Sequence, residues 1–187
     1  RGILVVRPSD GTILWRFSAG AAVGHQLVRI VDLDGDGDDE IVCGALCPAN
    51  LKEPINGFRD NRLGLFAFDH EGNLLWNLEL SGYVGTIDLE CGDVDGDGLP
   101  EIVTSTSHSP DLASRLAIWS GDGDLKADIQ EDECYYREVD IESRCEGHII
   151  LNVDGNTCRV LRFVDGSIHR IAEVRSDRTL YVDGFVD

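Results

Sequence analysis

The chain has 187 residues, 42% of them hydrophobic, and a formal net charge of -19. So acidic a chain offers no basic face for phosphate, which excludes nucleic acid as a partner. No apolar run approaches the roughly 20 residues that a helix needs to cross a bilayer, which excludes membrane insertion by a helix.

The length suits one domain or part of a larger one. The sequence starts at Arg1, contains no Met and shows no signal peptide, so a mature, processed or excised segment is expected. Six cysteines are present: Cys43, Cys47, Cys91, Cys134, Cys145 and Cys158. Their even number points to disulfides and to an extracellular or secreted setting. Pairing stays open, since six cysteines allow fifteen connectivities.

In chain order, Ile3–Val6 and Ile13–Phe17 are β-branched or aromatic runs around Pro8-Ser9-Asp10-Gly11, a hairpin signal. Gln26–Val31 is a strand that enters an acidic loop, and Ile41–Leu46 is the strand that leaves it. Residues 47–62 are polar and irregular and read as a long insertion loop, a common carrier of specificity. Leu63–Phe68 and Leu74–Leu78 form a second hairpin. The pattern then repeats: Val84–Cys91, a second acidic loop, Ile102–Ser107, a polar loop over 108–114, and a hairpin of Leu116–Trp119 with Leu125–Ile129. A third unit, Tyr135–Ile141, Gly147–Val153, Arg159–Val164 and Ile168–Val174, lacks the acidic loop. Residues 179–186 begin one more strand. No stretch has a helical period.

Four strands repeated at roughly 45–60 residues predict an all-β fold, a β-propeller of four-stranded antiparallel blades. The expected division is a partial blade (1–23), two blades with acidic loops (24–81 and 82–130), a blade without one (131–177) and the start of the next (178–187). Trp15 and Trp76 each stand four residues after a turn glycine, where packing between blades is expected. About three full blades with partial ones at both ends leave a ring of four, one short by a strand, or a ring completed by further sequence or another chain.

The loops carry the chemistry. Asp32-Leu33-Asp34-Gly35-Asp36-Gly37-Asp38-Asp39-Glu40 is repeated sixty-one positions later as Asp93-Val94-Asp95-Gly96-Asp97-Gly98-Leu99-Pro100-Glu101, and Ile-Val follows both. Alternating carboxylates in a tight glycine-rich loop suit a hard, oxygen-seeking cation. The helix–loop–helix calcium hand needs a bidentate Glu at position twelve, where Cys43 and Thr104 stand here, so a nine-residue loop between strands is the better reading. Asp32, Asp34, Asp36 and Glu40, and Asp93, Asp95, Asp97 and Glu101, are the expected side-chain ligands. Asp38 and Leu99 are expected to offer backbone carbonyls. Two calcium ions are implied.

This motif, Asp-x-Asp-Gly-Asp-Gly-x-x-Glu-Ile-Val, resembles the calcium loop of FG-GAP/VCBS repeats, the blades of integrin-α-like propellers. The resemblance covers about residues 24–130 and weakly the third unit. It implies a propeller with one calcium ion per intact loop, held between strands of a blade. The missing third loop and the small number of blades depart from the family.

Three functional readings follow. The first is a non-catalytic extracellular module for binding, adhesion or assembly, with a protein or carbohydrate ligand on 47–62 and 107–114. The second is part of a polysaccharide lyase of the rhamnogalacturonan type, since similar calcium-bearing blades build such enzymes. Its candidate base would come from His25, His70, His108, His148 and His169, and its basic groups from Lys52, Arg59 and Arg62. Lys52 and Lys126 are the only lysines, so an anionic cleft would rest on arginine. The third is a structural subunit that assembles through open strand edges. No catalytic residue is assigned.

Overall fold

The computed structural model describes residues 2–18, 22–46, 54–58, 61–81, 85–108, 113–132, 134–142 and 147–179. These form fourteen strands and, among the described residues, no helix. The all-β expectation holds. β1 (Gly2–Val6) and β2 (Ile13–Ser18) form a two-stranded first sheet. β3 (Ala22–Val31), β4 (Glu40–Leu46), β5 (Leu63–Phe68) and β6 (Leu74–Ser81) form the second sheet. β7 (Gly85–Gly92), β8 (Glu101–His108), β9 (Ser114–Trp119) and β10 (Leu125–Glu131) form the third. β11 (Tyr136–Glu142), β12 (His148–Val153), β13 (Thr157–Val164) and β14 (Ser167–Arg175) form the fourth. Every sheet is an antiparallel meander, each strand paired with its neighbour in sequence. The expected further strand over 179–186 and most of the 47–62 insertion lie outside the described residues.

Turn chemistry explains the meanders. Asp165 and Gly166 both adopt positive φ, 50° and 73°, the pair of left-handed residues that a tight hairpin between right-twisted strands requires. The β5–β6 and β9–β10 turns instead place one glycine at positive φ, Gly72 at 89° and Gly123 at 84°.

Period-two alternation then sends neighbouring residues of one strand into different cores. Val42 packs with Leu27, Leu65, Leu89, Ile102 and Trp119 between the second and third sheets. Ile41 and Cys43, on either side of it, face Val5, Trp15, Phe17 and Phe66 between the first and second. Val103 and Ile118 meet Tyr136, Ile149 and Leu151 between the third and fourth. Each core thus belongs to two sheets that follow one another in the chain.

The tryptophans take the packing role expected of them. The Trp15 ring lies 2.5 Å from where a Cβ on Gly72 would stand and 5.6 Å, centroid to centroid, from Phe68. Trp76 covers Gly123 in the same way and donates its Nε1–H to the Gly121 carbonyl at 2.8 Å. Turn glycines of the second and third sheets therefore leave room for an indole of the sheet before each.

The expected disulfides are not found among the described cysteines: Cys43, Cys91, Cys134 and Cys158 are free thiols, while Cys47 and Cys145 lie outside the described residues. Cys43 and Cys91 belong to different cores and act there as small apolar side chains. Burial pushes both thiols up to about 12, so neither is a ready thiolate at neutral pH.

The first strands of successive sheets meet edge to edge through polar groups. Arg29 of β3 clamps Glu90 of β7 with both ends of its guanidinium, Nε at 2.8 Å from Oε2 and a terminal nitrogen on Oε1. Asp88 of β7 accepts the Val139 N–H of β11 at 3.0 Å. Burial raises the carboxyls of Asp88, Glu138 and Asp140, and neighbouring carboxylates push Glu138 and Asp140 further. A carboxyl raised in the folded form binds its proton more tightly there, so stability falls as pH rises through its folded value. The midpoint of thermal unfolding in chelator should accordingly climb as pH is lowered from 7.5 toward about 5. Below their ordinary values of ~4 these groups are protonated in both states and contribute nothing further. There the depressed carboxyls of Asp10, Asp69 and Glu173 reverse the trend. A melting point that rises between pH 5 and 7.5 in differential scanning fluorimetry would contradict this.

Candidate metal centre

Both acidic loops connect the first and second strands of a sheet, β3 to β4 and β7 to β8. Each begins where a strand ends and closes on a buried glutamate that opens the next. Their backbones are tied by the same five bonds. Asp32 accepts Gly35 N–H at 2.8 Å on one oxygen and Gly37 N–H at 3.1 Å on the other. Asp34 accepts Asp36 N–H at 3.1 Å, Asp36 accepts Asp38 N–H at 2.8 Å, and Glu40 Oε2 accepts Leu33 N–H at 2.9 Å. In the second loop Asp93 accepts Gly96 N–H at 2.6 Å and Gly98 N–H at 3.0 Å. Asp95 accepts Asp97 N–H at 3.1 Å, Asp97 accepts Leu99 N–H at 2.8 Å, and Glu101 Oε2 accepts Val94 N–H at 2.9 Å. The glycines at loop positions four and six permit this curl, with φ of 78° and 94° in the first loop and 85° and 91° in the second.

The curl brings carboxylate oxygens of each loop toward one another. Oxygens of Asp32, Asp34 and Asp36 lie within 4.8 Å of each other, as do oxygens of Asp93, Asp95 and Glu101. Asp97 and Glu40 do not belong to these two groups. Asp38 turns its carboxylate outward, 64% exposed and 3.9 Å from His70 Nδ1. Leu99 places its side chain against Gly35 of the first loop, so the two loops touch. A cleft between them is lined by Asp34, Glu40, Asp97, Glu101, Trp76 and Lys126.

The two buried glutamates differ in their surroundings. Glu40 is 6% exposed, and no lysine or arginine pairs with it among the described residues. Burial holds its carboxyl above the usual range, opposed by the Leu33 N–H and reinforced by Asp34, Asp36 and Asp32. An ionised carboxylate buried beside three more requires either a proton or a cation, and the oxygen-only donor set suits a hard divalent cation such as calcium. Glu101, 2% exposed, has a counter-ion: Lys126 of β10 places Nζ at 2.6 Å from Glu101 Oε1 and 2.5 Å from Asp95 Oδ2. Burial draws the ammonium's proton affinity down, but the bonds to those two carboxylates outweigh it and hold Lys126 above the ordinary lysine range.

Lys126 is the site residue that reading the sequence misses. The signal lay in the turn segments: three residues after the turn glycine stand Leu14, Leu75 and Lys126 in successive sheets. Of the other candidates, Arg62 lies 3.9 Å from Glu79 on the surface. Lys52 and Arg59 lie outside the described residues, as do the side chains of His25 and His108.

A run of antiparallel four-stranded sheets, two of them bearing the same acidic loop, defines an all-β repeat protein with a candidate cation centre in two of its repeats. Residues 32–104 match the family model of the FG-GAP-like repeat, so this stretch of the chain is similar to FG-GAP-like repeats. The match runs from the first residue of the first loop, through the second loop, into β8. Among curated proteins nothing matches the chain.

Proposed function

We propose that the chain is a calcium-stapled β-propeller module, or a segment of one, that serves binding, adhesion or assembly rather than catalysis. The observation that carries this is Glu40, a buried carboxylate whose charge Asp34, Asp36 and Asp32 disfavour and which has no basic partner among the described residues, in a loop already curled by its own backbone bonds. Calcium bound there supplies charge compensation and fixes the spacing of β3 and β4. Asp32, Asp34, Asp36 and Glu40 hold it by side-chain oxygens and Asp38 by its carbonyl. Asp93, Asp95, Asp97, Leu99 and Glu101 are the corresponding set in the second loop. The propeller reading is supported by the succession of four-stranded meanders, each sharing a core with the next, and by the indole-over-glycine contact that recurs between them. On this reading the blades divide at about residues 23, 81, 130 and 177, and the ring is completed by further sequence or by another chain. Calcium dependence fits an extracellular or secreted setting. The ligand, a protein or a carbohydrate, is assigned to the loop face carrying 47–62 and 107–114.

A ligand bound only by the folded form raises stability by RT ln(1 + [L]/Kd), about 2.7 kcal/mol at a hundredfold excess over Kd. For a chain of this size that is about 5–10 °C in melting temperature. Millimolar calcium should therefore raise the midpoint by that amount over the chelated protein, and magnesium by much less. Identical melting curves with calcium and with chelator would refute the staple.

A further inference from the structure

We infer that the two acidic loops are not equivalent: Lys126 is a built-in cation that occupies the second site, and calcium selects the first. The inference rests on the calcium reading above and divides it between the loops.

The bonding leaves little choice. In the second loop, Asp95 Oδ1 is taken by the Asp97 N–H and Glu101 Oε2 by the Val94 N–H. Three oxygens of this loop accept no backbone N–H among the described residues, Asp95 Oδ2, Asp97 Oδ2 and Glu101 Oε1, and the Lys126 ammonium holds the first and the last at 2.5 and 2.6 Å. A calcium ion ligated by those two oxygens at about 2.3–2.6 Å would stand where the ammonium stands. Two cations cannot share that seat, so calcium must first expel a lysine whose side chain is 27% exposed from its contact with a glutamate that is 2% exposed.

The first loop has the corresponding three, Asp34 Oδ2, Asp36 Oδ2 and Glu40 Oε1, after the same backbone bonds are counted. The residue that corresponds to Lys126 is Leu75, which lines the cleft beside Asp34 and Glu40 and brings no charge. One loop thus carries its counter-ion in the sequence, and the other must take it from solution. The specificity lies one residue beyond Leu74 and Leu125, outside the acidic motif itself.

Calcium titration by isothermal calorimetry, on the intact chain and on Lys126→Leu and Leu75→Lys, tests this. The wild type should take up one ion tightly and the second at least tenfold more weakly. Lys126→Leu should take up two of similar affinity, and Leu75→Lys should lose the tight one. Two ions of equal affinity in the wild type, unchanged by Lys126→Leu, would overturn the inference and leave the calcium reading standing. No uptake by any of the three proteins would overturn both. Because Lys126→Leu also removes the counter-ion of the buried Glu101, a second pair of variants asks the same question independently of its folding. Asp32→Asn should abolish the calcium-induced rise in melting temperature, while Asp93→Asn should leave most of it. Equal losses from the two substitutions would overturn the inference.

Discussion

Phe66→Ala should destabilise the protein by about 3–5 kcal/mol, the usual cost of emptying an aromatic site in a packed core. At 2–4 °C per kcal/mol for a chain of this length, the melting midpoint should fall by about 10 °C. Phe66 is 1% exposed and stands among Phe58 at 4.1 Å, Phe17 at 5.6 Å and Phe68 at 6.3 Å between ring centroids. The site cannot collapse easily, because its walls come from β2, β5 and the Ile55–Phe58 bridge, three segments fixed by their own pairings. Gly64 lets Phe58 approach, since a Cβ there would lie 2.4 Å from the Phe58 ring. The variant should therefore loosen the first sheet selectively. Protease cleavage near residues 2–18 should accelerate before the calcium-induced shift in melting temperature is lost. A drop below 1 kcal/mol in chemical denaturation would show that this cluster is not a core.

The second large effect is expected at Arg159. Its side chain, 12% exposed, lies between the third and fourth sheets, 2.6 Å from Glu131 of β10 and 2.9 Å from Glu173 of β14. Burial disfavours the charge, but the two carboxylates more than restore it. Arg159→Met keeps the volume and removes the cation that pairs with Glu131, while Glu173 keeps Arg170 and Arg175. Breaking a buried pair this way costs about 3–5 kcal/mol; Glu131 is 36% exposed, so solvent screening brings the expected loss to about 2–3 kcal/mol. The double variant Arg159→Met, Glu131→Gln should recover part of it. Additive losses in that double-mutant cycle would mean that the pair is not coupled.

How far the sequence foretells this structure depends on the range of each interaction. The strands and hairpins were legible, because period-two apolar runs and Asp-Gly turns are local signals. The curl of both loops was legible for the same reason: every bond in it spans seven residues or fewer. Trp15 and Trp76 were read correctly as packing residues because their distance from a turn glycine repeats. What could not be read joins residues far apart in the chain, two of the pairs across separate sheets. Arg29 meets Glu90 across 61 residues, Arg159 meets Glu131 across 28, and Lys126 reaches Glu101 across 25. No local pattern marks the two arginine pairs, and the lysine's departure from leucine in the turn register looks like any solvated charge until the carboxylate beside it is known to be buried. The cysteines misled for a related reason. Counting six of them suggests cross-links, whereas Cys43 and Cys91 lie in different cores.

The sharing of every core by two successive sheets has a thermodynamic consequence. Among the described residues, the second and third sheets are clasped on both faces, while the first has a single pair of strands and leaves Leu4 and Leu14 more than half exposed or at half, 56% and 50%. Stability in such an array is a sum of unit terms and nearest-neighbour couplings, as in a linear chain of spins. Opening then propagates inward from the weakest end instead of occurring at once. Amide exchange should be slowest in β4, β5, β8 and β9 and graded outward from them, so that the molecule behaves as a short zipper with its clasp in the middle.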